Sequence, residues 1–157
     1  MYVKKIKYLP WILATEAVGI LSGLLSRNGT QIYSEMTEKP ALSPPAILFP
    51  IVWTALYALM GIGAARVDGA QPGPDRSRAL NVYVIQLVVN SFWSLIFFNA
   101  RAYGFAFLWL LLLWVLIAVM ILSFRRVDRT AALLQIPYFL WVTFAAYLNY
   151  GVWQLNR

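Results

Sequence analysis

The chain has 157 residues, 61% of them hydrophobic and only 12% charged, with no cysteine, no histidine and a formal net charge of +7. Soluble domains carry about a quarter charged residues, so the long uncharged runs identify an integral, multi-pass membrane protein with one domain and little mass outside the bilayer. The missing residue types exclude disulfides, thiolate nucleophiles, cysteine–zinc and iron–sulfur sites, the usual haem ligand and the easiest proton shuttle. The basic residues sit at the ends of apolar runs rather than in a stripe between stacking aromatics, so no nucleic acid is expected as a partner.

The first apolar run, 8–26, follows Lys4, Lys5 and Lys7 and is interrupted by Pro10 and Glu16. It is longer than a signal-peptide core and reads as a first transmembrane helix. Gly19 and Gly23 form a GxxxG that lets a second helix approach closely, within the bundle or in a homodimer. Residues 27–45 read as the longest loop, ending in KPALSPP. Its prolines fix φ and push the preceding residues out of the helical region, and Ser43 before Pro44 and Pro45 reads as the cap of the next helix. The loop is thus a stiff lid above a second span, 46–65.

Residues 66–78, with Gly69, Pro72, Gly73 and Pro74, read as an exposed linker. The third and fourth spans, 79–100 and 102–124, are separated by Arg101 alone and must form a tight antiparallel hairpin. A fifth span, 130–153, contains Pro137, which is expected to kink it or loosen its backbone bonding. The expected fold is therefore all-α, a five-transmembrane-helix bundle over residues 1–157. Lys4, Lys5, Lys7, Arg66, Arg76, Arg78, Arg125, Arg126 and Arg129 fall on the N-terminal side, against Arg27, Lys39, Arg101 and Arg157 on the other. That bias places the N-terminus inside and the C-terminus and the long first loop outside; the expected location is a bacterial cell membrane.

Trp109 and Trp114 lie in a nearly pure lipid-type fourth span with no polar neighbours in sequence, and no chemistry is expected there. The third span differs. Gln86, Asn90, Trp93, Ser94 and Phe97 share one helical stripe, and amides are costly in hydrocarbon unless they face the bundle interior. Tyr138, Trp141, Ala145 and Leu148 or Asn149 recur on the fifth span, and Trp53, Tyr57 and Gly61 on the second. Such stripes serve either as clamps in a solid core or as walls of a cleft for a flat hydrophobic ligand, with Gly61 and Ala145 leaving room. Glu16 is the one carboxylate inside a span, with no intramembrane Lys, Arg or His to pair with. It is expected to be protonated, or hydrogen-bonded to a nearby Ser or Thr. A lone acid makes no proton relay, and the lack of a lysine within a span excludes a retinal-type Schiff base.

These residues carry a resemblance. KPALSPP at 39–45, VWTALYALMG at 52–61, Asn90 with FWS at 92–94, FF at 97–98, and PYFLW with FAAYLNYGVW at 137–153 are similar to the TspO/MBR family. Its members are translocator proteins, also called tryptophan-rich sensory proteins or peripheral-type benzodiazepine receptors. The resemblance covers essentially the whole chain. It implies a five-helix bundle, often homodimeric, with a pocket under the first loop for protoporphyrin IX, haem, sterols, and isoquinoline carboxamide or benzodiazepine-type drugs. Carried over, the ligand-binding positions are Trp53, Asn90, Trp93, Trp141 and Ala145, with Tyr33 and Pro44 from the loop. Tyr57, one turn from Trp53, joins them from the stripe. This chain has Ile32-Tyr33 where the family often has Trp-Tyr, and Leu42 where it usually has Trp. Gln154 replaces an arginine of the sterol-recognition pattern, so that pattern is incomplete here.

The leading expectation is a receptor or carrier for flat hydrophobic ligands, requiring no cofactor and no metal, with porphyrin or haem as ligand and the lipid bilayer as surroundings. The resemblance also implies light-dependent protoporphyrin degradation, for which Trp53 and Trp141 would be the redox partners. No acid–base or nucleophile constellation is present for conventional catalysis. A third class is a sensor acting through a partner, with the GxxxG face and the fourth helix as its interfaces.

Overall fold

A computed structural model describes residues 6–36 and 38–157. Lys4 and Lys5, which entered the charge count, lie outside the described residues. The helices are α1 (Tyr8–Leu25), α2 (Arg27–Met36), α3 (Leu48–Asp68), α4 (Pro74–Ser94), α5 (Tyr103–Arg125), α6 (Arg129–Leu133) and α7 (Ile136–Leu155). Five segments are long and apolar enough to cross a membrane: α1, α3, α4 with its continuation to Asn99, α5, and α6 with α7. No strand occurs among the described residues. The all-α, five-span architecture is the one the sequence predicts.

The spans are built for lipid. In α1 the buried side chains include Thr15 and Ser22, whereas Leu9, Leu13, Ile20, Leu21, Leu24 and Leu25 face outward. That inverts the soluble pattern, as expected where the surroundings are themselves apolar and close helix approach needs small residues. On α5, Ala106, Leu110, Leu113, Ile117, Met120 and Phe124 are buried at alternating steps of four and three, and Phe105, Leu108, Leu112, Val115, Val119 and Leu122 form the opposite, exposed face.

Several boundaries differ from the sequence expectation, each for a local reason. The first loop contains α2, whose Thr30 hydroxyl donates back to the Ser26 carbonyl. Ser43 caps nothing; its hydroxyl donates to the Pro40 carbonyl at 2.7 Å, and α3 begins only at Leu48. The supposed exposed linker 66–78 shrinks to 69–73, because α3 runs to Asp68 and α4 starts at Pro74. Arg76 and Asp68 pair across it at 2.7 Å. The fifth span is interrupted close to Pro137, as a break between α6 and α7 rather than a kink at the proline itself. Pro137 sits in the first turn of α7, where its missing N–H costs nothing, after the break at Leu134 and Gln135. The α4–α5 hairpin is present, but α4 ends in a π-helical turn, Leu95–Asn99, and Arg101 adopts φ +50° to reverse the chain.

At the end carrying the N-terminus the helices are pinned by polar contacts. Arg66 bonds to Asp128 at 3.2 Å and to the Tyr8 hydroxyl, while Asp128 caps α6 by accepting from the Ala131 N–H. Trp11 donates its indole N–H to Asp68. Gly61 presses α3 onto the backbone of Ile12 in α1: a Cβ there would lie 2.6 Å from Ile12 Cα. Gly61 therefore closes the α1–α3 contact and does not leave room in a cleft. Below it Met60, Ala64, Val67, Tyr83, Ile117, Met120, Phe124, Tyr138 and Val142 form a solid core.

Candidate functional site

Toward the opposite end the bundle opens. Gly19 of α1 still lies against the Tyr57 ring, but a Cβ on Gly23, one turn further, would meet nothing within 4 Å. Gly19 is thus engaged in packing inside the chain. From Gly19 to the first loop, α1, α3, α4 and α7 surround a cavity of about 590 Å³, within the range of ligand pockets.

All eight positions singled out from the sequence line this one cavity: Trp53 and Tyr57 from α3, Asn90 and Trp93 from α4, Trp141 and Ala145 from α7, Tyr33 from α2 and Pro44 from the loop. The rings meet one another at a range of angles. Trp53 tilts against Tyr57 with centroids 5.6 Å apart, and meets Tyr138 edge-on at 6.2 Å. Trp141 meets Phe49 edge-on at 5.9 Å. Trp93 stacks on Phe97 at 5.0 Å and is fixed by its indole N–H, which donates to Asn149 Oδ1 at 3.0 Å. The indole N–H of Trp141 is buried and has no acceptor among the described residues, leaving the cavity wall one unspent donor.

The floor is a chain of side-chain hydrogen bonds. The Tyr57 hydroxyl donates to Asn90 Oδ1 at 2.8 Å, Asn90 Nδ2 donates to the Tyr138 hydroxyl at 2.6 Å, and that hydroxyl donates to Gln86 Oε1 at 2.8 Å. Polar groups at this depth are tolerable because each satisfies the next. The network also fixes which way Asn90 and Tyr57 present themselves to the cavity.

The lid is tied down on two sides. Tyr33 packs between Phe97 and Phe98 of the π turn at 5.4 and 5.3 Å, and Lys39 lies over its ring at 5.0 Å. Burial, with the Tyr103 phenol nearby, pushes the Tyr33 hydroxyl up to about 12, so it stays neutral at physiological pH. On the α7 side, Glu38 and Asn156 exchange two hydrogen bonds, Tyr147 donates to the Ala41 carbonyl at 2.7 Å, and Pro40 rests on Gly151. Leu42, at φ +70°, makes the turn between these anchors.

Sequence reasoning missed part of the lining. Phe49 stands one turn before Trp53, a spacing that was legible; Phe98 reaches the cavity because the π turn shifts the register. Arg27, Thr30 and Ser34 reach the mouth because α2 is helical, and Lys39 reaches it from the segment that follows. Glu16 lines the cavity but makes no hydrogen bond or ion pair with any described residue, so the expected Ser or Thr partner is absent. Trp109 and Trp114 do have polar neighbours in space: their indoles donate to the Val89 carbonyl at 2.7 Å and to the Thr143 hydroxyl at 2.8 Å. They clamp α5 to α4 and α7.

The TspO/MBR family model matches residues 11–154. Among curated proteins, the chain is 37% identical to the tryptophan-rich protein TspO of Chlorobaculum tepidum, over 89% of each chain. It is 40% identical to protein CrtK of Rhodobacter capsulatus over 76% of this chain and 75% of that one. With the translocator protein of Ovis aries it shares 37% identity over 83% and 78%. The chain belongs to the TspO/MBR family.

Proposed function

We propose that the chain is a membrane receptor or carrier that binds flat hydrophobic ligands in the cavity under the first loop. These are porphyrins such as protoporphyrin IX or haem, and isoquinoline carboxamide or benzodiazepine-type drugs. The observation that carries this reading is the convergence of Trp53, Trp93 and Trp141, from three different spans, on one void of about 590 Å³ floored by Asn90 and Tyr57. Aromatic walls suit a planar guest, since stacking on a ring is worth more than area burial alone. The naming of a relative as a translocator protein agrees with a carrier. The excess of Lys and Arg on the N-terminal side supports a cell-membrane orientation with the N-terminus inside.

The test is titration of the protein in phosphatidylcholine nanodiscs with protoporphyrin IX and with an isoquinoline carboxamide, followed on the ligand. Trp53→Ala or Trp141→Ala should weaken binding by about 1–3 kcal/mol, the scale of one buried aromatic contact. Leu108→Ala, on the outer face of α5, should leave it unchanged. Equal loss at all three positions would mean a general folding effect and would sink the assignment.

A further inference from the structure

The cavity has an electrostatic polarity that aromatic stacking does not explain. Glu16 is the ninth residue of the 18-residue α1, so its carboxyl sits near the middle of the span. The two cations that line the same cavity, Arg27 and Lys39, are both at the mouth. Glu16 and the end of α1 at Leu25 are separated by roughly 14 Å along the helix axis. Lys39 is further occupied by the Ser34 carbonyl and the Tyr33 ring.

The hydroxyls around Glu16 are spent elsewhere. Thr15 donates to the Trp11 carbonyl and meets the Tyr83 hydroxyl, Ser22 donates to the Ser91 carbonyl, and Tyr57 donates to Asn90. An ionised carboxylate accepts only, and within a membrane it is expensive without a partner. Glu16 therefore lines a largely apolar void and accepts from no donor among the described residues.

Building on the cavity reading above, we propose that Glu16 selects ligands: the cavity prefers flat hydrophobic molecules with a protonated nitrogen at their inner end, which Glu16 pairs with at mid-membrane depth. The tryptophans contribute affinity for any planar hydrocarbon, and Glu16 distinguishes the cation from its neutral counterpart. A charge-assisted hydrogen bond in a dry site is stronger than a neutral one, and the neutral analogue leaves the carboxylate unpaired. This is discrimination by an unsatisfied group as much as by attraction.

The experiment compares 9-aminoacridine, a flat cation, with anthracene, its neutral three-ring counterpart, in phosphatidylcholine nanodiscs that carry no net lipid charge. Ligand fluorescence gives the ratio of the two affinities for wild type, E16Q and E16D. The ratio should favour the cation in wild type, fall about tenfold in E16Q, and recover in E16D. Because it is a ratio, partial misfolding of a variant lowers both affinities and does not mimic the result. A wild-type ratio with no preference for the cation, or one unmoved by E16Q, overturns the role of Glu16 and leaves the cavity reading standing. Failure of both probes to bind wild type at all overturns the cavity reading and this inference together.

Discussion

The same pair of helices, α1 and α3, is packed solid at one end and held apart at the other. At Gly61 a single added methyl would strike the Ile12 backbone; at Gly23 it would touch nothing. At the closed end, ion pairs and caps tie the helix termini together and aliphatic side chains fill the interior. At the open end many interior positions are rings, and three of them are held by contacts outside the void: Trp93 by Asn149, Tyr57 by Asn90, Tyr33 by Phe97 and Phe98. A void of this size in hydrocarbon-like surroundings forfeits dispersion contacts along its walls. The open end persists because the groups around it are fixed by bonds made elsewhere, and it is the end where a ligand restores the missing contacts.

Three substitutions break or sharpen that contrast. The largest effect is expected for Gly61→Leu, which forces α1 off α3 and should cost about 3 kcal/mol or more of stability, read as a fall in thermal midpoint in detergent. Unchanged stability would mean that the closed end is not closed. Next comes Tyr138→Phe, which strands Gln86 Oε1 and Asn90 Nδ2 in a buried site. It should cost about 1–3 kcal/mol of stability and weaken ligand binding through the disordered floor. The smallest effect on stability belongs to Gly23→Leu, whose side chain has open space to enter. It should leave stability within about 0.5 kcal/mol of wild type while weakening porphyrin binding by about 1–3 kcal/mol through overpacking of the occupied cavity. Loss of stability comparable to that of Gly61→Leu would erase the distinction between the two ends.

Much of this was legible in the residues. Five apolar runs gave the spans, and the Gln86–Asn90–Trp93–Phe97 stripe gave the inward face of α4, because amides and indoles in a membrane helix have one tolerable direction. The failures share a cause: they depend on partners distant in sequence. The indoles of Trp109 and Trp114 look isolated along α5, yet their acceptors, Val89 and Thr143, lie on other helices. Gly61 reads as empty space until Ile12 is placed against it. The helix at Arg27–Met36 was hidden by Gly29, a poor helix former, whose lack of a side chain lets α2 sit directly on the Phe98 carbonyl. Ser43 resembled a cap, but two successive prolines held the chain extended for two more residues and turned its hydroxyl back to Pro40.

The most direct test of the account is a structure of the protein with protoporphyrin IX bound in lipid. The account predicts the macrocycle inside the bundle, with its face against Trp53 or Trp141 and its edge toward Asn90. A porphyrin found on the outer surface of α5, with the space between those indoles collapsed, would contradict it.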